Sequence, residues 1–113
     1  MNRIVLLGRL TKDPDMKVLE ENGKVVTKFI LAVDRTYKNA SGEREADFIP
    51  VVLWGRKAEV TSEYMKKGSM VTVSGSLQTR NYEDKDGIKR YIFEVIASEI
   101  QFVDSRKAEE TAI

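Results

Sequence analysis

The chain has no cysteine and no histidine among its 113 residues. Without cysteine there is no disulfide framework and no thiolate metal site. Without histidine the commonest general base, the Ser-His-Asp triad and most transition-metal sites are excluded as well, while carboxylate sites for magnesium or calcium stay open. Proline occurs only twice. Long apolar runs are missing: the N-terminal "MNRIVLLGRL" holds an uninterrupted stretch only from Ile4 to Leu7. That is too short for a signal-peptide core or a membrane span, so a cytoplasmic protein with no membrane partner is expected. Charge of one sign is also missing, with 19 Lys and Arg against 18 Asp and Glu and a net charge of +1. A polyanion would have to be met by local distribution of charge, not by the sum.

What is present suits one soluble domain. The hydrophobic fraction of 42% is enough for a core, and 33% charged residues supply a surface. "NRIVLLGRLT" predicts a mostly buried first strand. "KDPDMKVLEENGK" is a polar connection with a short strand around Met16 to Leu19. "VVTKFILAVDRTY" is a long second strand, with Thr27, Phe29, Leu31, Val33, Arg35 and Tyr37 on one face and Lys28, Ile30 and Ala32 on the other. "KNASGERE" is its hairpin loop. In "DFIPVVLWGR", the third strand, Ile49, Val51 and Leu53 form a core face, and Phe48, Pro50, Val52 and Trp54 point away from it.

The period then changes. In "RKAEVTSEYMKKG" the residues Ala58, Thr61, Tyr64 and Met65 fall near helical spacing, and Lys66, Lys67 and Gly68 suit a helix end. Tyr64 and Met65 are read as its packing face. "SMVTVSGSLQT" alternates again with Val71, Val73 and Leu77 on one face, and Gly75 marks a bulge or a close backbone approach. "RNYEDKDGIKR" is a charged hairpin arm turning at Asp86-Gly87. "YIFEVIASEIQFV" is the last strand, bent around Ala97 and Ser98. Phe29, Tyr91, Phe93 and Phe102 are read as packing residues. Three strands, one helix and two strands make an all-β chain with a small helix. This is the layout of a five-stranded OB-fold Greek-key barrel with its helix between strands three and four. The domain is expected over 1–103, and 104–113 is a polar tail without fixed structure.

Four aromatics stand out: Tyr37 at the end of the second strand, Phe48 and Trp54 on the outward side of the third, and Tyr82 at the start of the hairpin arm, with a packing role open for each. Basic residues interleave with them, namely Arg3, Arg9, Lys28, Arg35, Arg56, Lys67 and Arg80. Single-stranded nucleic acid calls for this mixture. Its unpaired bases expose π faces that any ring can stack upon, worth roughly 1–3 kcal/mol per base whatever the base is. Its phosphates call for cations along the path, which makes binding fall with salt.

The stretches "NRIVLLGRLTKDP", "FILAVDRTYKNASGEREADFIPVVLWGRKAEV", "SEYMKKGSMVTVSGSLQTRNYEDKDG" and "FEVIASEIQFV" carry a resemblance. In order and spacing the chain resembles the bacterial-type single-stranded DNA-binding proteins, an OB-fold homotetramer family. The resemblance implies that Tyr37, Phe48, Trp54 and Tyr82 occupy the four base-stacking positions. It places Arg3, Arg56, Lys67 and Arg80 at or beside basic contacts to DNA. Arg9, Lys28 and Arg35 come from the strand reading alone. The resemblance implies a tetramer to which strand one contributes, with no cofactor and no metal. Ile49 stands where some members have a His at the subunit interface, so that polar contact should be missing. Family members commonly continue into a Gly-, Gln- or Pro-rich linker and an acidic tip ending in Pro-Phe. This chain ends "RKAEETAI", so tip-mediated recruitment of replication and repair enzymes is not expected.

Other readings stay open beside it. An OB-fold interaction module of the primosome type would use Trp54 for protein partnering more than for DNA. A nuclease would need clustered carboxylates. Glu83, Asp84 and Asp86 instead read as a solvated hairpin tip, and Glu43, Glu45 and Asp47 as loop and strand edge. RNA is chemically close, because stacking does not exclude it. The leading expectation is a non-enzymatic protein that coats single-stranded DNA in replication, recombination and repair.

Overall fold

The computed structural model describes residues 1–103. The tail expected over 104–113 lies outside the described residues. The element order is β1 (Ile4–Leu10), β2 (Asp15–Val18), β3 (Val25–Lys38), β4 (Arg44–Trp54), α1 (Arg56–Tyr64), β5 (Met70–Glu83) and β6 (Lys89–Phe102). Hydrogen bonding orders the strands β1-β5-β6-β4-β3-β2, and a further pairing of β1 with β3 closes the sheet on itself. Strand β1 follows β5 from Ile4 to Arg9, then meets β3 where Arg9 and Leu10 lie opposite Ala32 and Leu31. The one parallel pairing is β4 with β6, Val51 opposite Val95 and Val52 opposite Ile96. Five strands thus form a closed barrel, and β2 rides on the edge of β3. The expected strands two to five are β3 to β6, and the helix falls between the third and fourth of the barrel, as in an OB-fold.

The core fills the barrel. Leu31, Val51, Leu53, Val71, Val73 and Val95 are fully buried, with Phe29, Leu10 and Met65 beside them. Period-two alternation puts these residues inside and their neighbours outside. Helix α1 caps one end through Ala58, whose carbonyl accepts a 3.1 Å hydrogen bond from the buried hydroxyl of Thr27.

Two glycines let backbones approach closely, Gly8 where β1 meets β3 to close the barrel and Gly75 at an irregularity between β5 and β6. A Cβ on Gly8 would stand 2.4 Å from the carbonyl oxygen of Ala32, and one on Gly75 only 2.1 Å from that of Ile96. At Gly75 the β5–β6 register slips by one residue, so that Ser98 is the extra residue and donates to the carbonyl of Ser74. The bulge and the close backbone approach expected at Gly75 are both there.

Several expectations need correcting. Strand β1 is not mostly buried: it alternates, with Val5 and Leu7 exposed, because no layer of the described residues covers its outer face. The helix stops at Tyr64, and Met65 is already extended. Lys66, Lys67 and Gly68 belong instead to a following turn, in which the amide of Gly68 donates to the carbonyl of Leu10. Tyr64 is exposed but sets its ring edge-on to Phe102 at a centroid distance of 6.5 Å. Phe29 and Phe102 pack as expected. Tyr91 and Phe93 are not packed among the described residues, being 74% and 53% exposed. Their strand runs out of the barrel into the β5–β6 arm, where the inward parity no longer points at a core.

Candidate nucleic-acid interface

The register decides which candidate residues share a face. Along β4, Phe48, Pro50, Val52 and Trp54 alternate with the buried Val51 and Leu53. Val52 lies opposite Ile96 on β6, and Ile96 lies opposite Ser76 on β5. Ser76, Gln78, Arg80 and Tyr82 follow at every second position with unbroken pairing. Tyr82 therefore stands on the same outer face as Phe48 and Trp54, carried away from the barrel by the arm.

The four rings are exposed, Tyr37 and Phe48 at 63%, Tyr82 at 46% and Trp54 at 45%. Their settings differ. Phe48 lies opposite the small Ala32, which in turn lies opposite Arg9. Trp54 lies opposite Val26, with Lys17 next across the sheet. Val52 was expected to point outward with the rings; it does, but it is buried, set between Lys28 and Ile96. Tyr37 falls beyond the last regular pair, Asp34 with Ala46, where β3 carries two more residues than β4 before Lys38 meets Arg44. Strict alternation along β3, which puts Tyr37 with the core residues, breaks at that irregularity.

Between Phe48 and Trp54 runs an open groove of about 240 Å³. Its floor includes Ile30, Pro50 and Val52, and charged residues line it: Lys12, Asp13, Asp15, Lys28 and Glu94. The β1–β2 loop makes one wall, held by Asp13, whose carboxylate accepts the amide of Lys67 at 2.8 Å.

The basic residues are not equally available. Arg3, Lys28, Arg56 and Lys67 are exposed. Arg3 is steadied by its neighbour Asn2, whose side chain exchanges hydrogen bonds with the backbone of Leu77 at 2.6 and 2.9 Å. Arg9 donates to the carbonyl of Gly68 at 3.0 Å. Arg80 lies 3.6 Å from Glu94, a long, half-exposed pair that leaves its charge largely free. Arg35 is committed. Its guanidinium grips Asp47 at 2.9 and 3.1 Å and Glu45 at 3.0 Å. The hydrogen bond from Arg35, ahead of the charge itself, holds the Asp47 carboxyl below the usual aspartate range, and the same contact raises Arg35. Asn2, Asp47 and Glu45 were not among the site residues expected from sequence. The only sequence signal for the clamp is parity: 45 and 47 share the inward side of β4.

Closed five-stranded architecture, a face of spaced exposed rings and interleaved cations define an oligonucleotide-binding barrel. The profile of the Single-strand binding protein family matches residues 1–103, and the chain belongs to that family. It is 55% identical over 104 residues to a single-stranded DNA-binding protein of Clostridium tetani, covering 92% of this chain and 71% of that one. A single-stranded DNA-binding protein of Bacillus cereus is 53% identical over 94% of this chain and 62% of its own length. Single-stranded DNA-binding protein 1 of Clostridium acetobutylicum is 50% identical, over 95% of this chain and 97% of its own.

Proposed function

We propose that this chain binds single-stranded DNA without regard to base sequence and shields it during replication, recombination and repair. The observation that carries the reading is the shared outer face of Phe48, Trp54 and Tyr82, with an apolar-floored groove between the first two. Bases stack on these rings and on Tyr37, and phosphates meet Arg3, Arg9, Lys28, Arg56, Lys67 and Arg80. Binding the open strand in preference to the duplex removes secondary structure by mass action. No reaction is assigned to the chain; it acts by occupancy.

A homotetramer is part of the same reading. Val5 and Leu7 expose apolar side chains on β1, and Leu77, Phe93 and Tyr91 do so on the inward side of the arm. Burying such surfaces against further copies removes them from water.

Trp54 is the chain's one tryptophan and reports on the face directly. Titration with oligo(dT) at two salt concentrations is expected to quench its emission strongly. Unchanged emission without binding would overturn the reading and favour a protein-interaction module.

A further inference from the structure

The sequence pattern predicts Arg35 as a cation facing DNA. Its surroundings say otherwise. Strand β4 pairs without a break from Trp54 to Ala46, so Asp47 lies on the side of β4 that carries Ile49 and Val51, and Glu45 follows it two residues along the strand. Phe48 lies on the other side. Arg35 reaches both carboxylates, so it works behind the sheet on which the Phe48 ring stands.

The clamp also sits where the backbone ladder fails. Regular β3–β4 pairing ends at Asp34 with Ala46 and resumes only at Lys38 with Arg44. Across that gap, the side-chain bonds of Arg35 join the strands. An exposed single ion pair is worth little, and Lys17 with Asp15 at 3.9 Å is such a pair. The Arg35 contact differs in kind: two parallel N–H donors face one carboxylate and a third bond goes to a neighbour, a geometry that fixes orientation. Below the gap, Asn39 closes the hairpin by accepting the amides of Ser41 and Glu43, each at 3.0 Å. Tyr37 and Phe48 flank the clamp, two residues after Arg35 and one after Asp47.

The geometry points to Arg35, Asp47 and Glu45 as a splint that positions Tyr37 and Phe48 for base stacking, with Arg35 making no phosphate contact of its own. This rests on the stacking function proposed above. It makes the two acidic residues contributors to binding of a polyanion, the opposite of what their charge alone suggests.

The test is oligo(dT) titration followed by Trp54 emission at several salt concentrations. Variants are Asp47→Asn, Glu45→Gln and the charge exchange of Arg35→Asp with Asp47→Arg. Asp47→Asn is expected to weaken binding about three- to tenfold, part of one base stack. The slope of affinity against salt should stay as in the parent chain. Glu45→Gln should show the same sign with a smaller effect, and the charge exchange should recover most of the loss. In a Tyr37→Ala, Phe48→Ala background the loss should vanish, which a general loss of stability would not do. Tighter binding by Asp47→Asn, with a slope steeper by about 0.7, would mean that Arg35 had been freed as a phosphate ligand and would overturn the splint. So would unchanged affinity in all three variants. A parent chain that does not bind oligo(dT) would instead overturn the stacking function itself.

Discussion

Phe48 and Trp54 share one strand and one face at a separation of six positions, which places them about 20 Å apart along β4. In the stacking function proposed above, the two rings would serve different bases, with the groove over Pro50 and Val52 between them. Trp54→Ala and Phe48→Ala are each expected to lower oligo(dT) affinity about 5- to 150-fold at fixed salt, the range of one stack. Their effects should multiply in the double variant, because the distance exceeds the roughly 7–10 Å over which substitutions couple. Losses within twofold for both single variants would remove the stacking face.

Phosphate contacts should show in the salt dependence. Arg56→Ala and Lys28→Ala remove exposed cations and leave the rings in place. Each is expected to flatten the slope of log affinity against log salt by about 0.7 while Trp54 quenching at saturation persists. A slope equal to that of the parent chain would take the residue off the DNA path.

The β5–β6 bulge should not tolerate even a methyl group. The Cβ of Gly75→Ala would meet the Ile96 carbonyl at 2.1 Å, and that oxygen belongs to backbone, which cannot swing aside. A loss of about 1–3 kcal/mol is expected, read as a lower midpoint in thermal unfolding. A midpoint equal to the parent's would mean that the bulge at Ser98 relaxes freely.

Asp84 organises the tip of the arm. Its carboxylate accepts the amides of Asp86 and Ile88 and the guanidinium of Arg90, all at 2.9 Å. These donors, Ile88 foremost, hold its carboxyl below the ordinary 3.8. The charged form is favoured in the folded arm. Its stabilisation is therefore whole above the unfolded chain's value, near pH 4, and drains away as pH falls through the lower folded value. An NMR titration of the Asp84 carboxyl should find its midpoint below 3.8, and Arg90→Ala should move it up. A parent midpoint at or above 3.8 would contradict the capping geometry.

Assembly should depend on the outer face of β1. If the proposed tetramer forms through this face, Leu7→Arg is expected to shift the parent's assembly to smaller species in analytical ultracentrifugation, since the charge would have to be desolvated against a neighbouring copy. A tetramer that survives the change would place the contacts elsewhere, with the arm residues Tyr91 and Phe93 next to be tested.

Much of this was legible in the chain, because alternation along a strand depends only on backbone geometry. The inward set Ile49, Val51 and Leu53, the outward set Phe48 and Trp54, the turn at Asp86-Gly87 and the special role of Gly75 all follow from local pattern. So did the order of strands and helix that marks the fold. Gly8 was not legible, since the Ala32 carbonyl that requires it belongs to a strand brought near only by barrel closure.

The class of fold and most of the barrel's core, Leu31, Val51, Leu53, Val71, Val73 and Val95 among it, follow from the chain's own pattern, because hydrophobic period and residue type are local properties. Tertiary structure alone decided which residues face one another. The parallel pairing of Val52 with Ile96 carries Tyr82 onto the face of Trp54. The register gap in β3 leaves Arg35 to Asp47 and Glu45. The run of β6 beyond the barrel exposes Tyr91 and Phe93. Pairing between distant strands has no local signature, so no reading of one strand at a time reaches it.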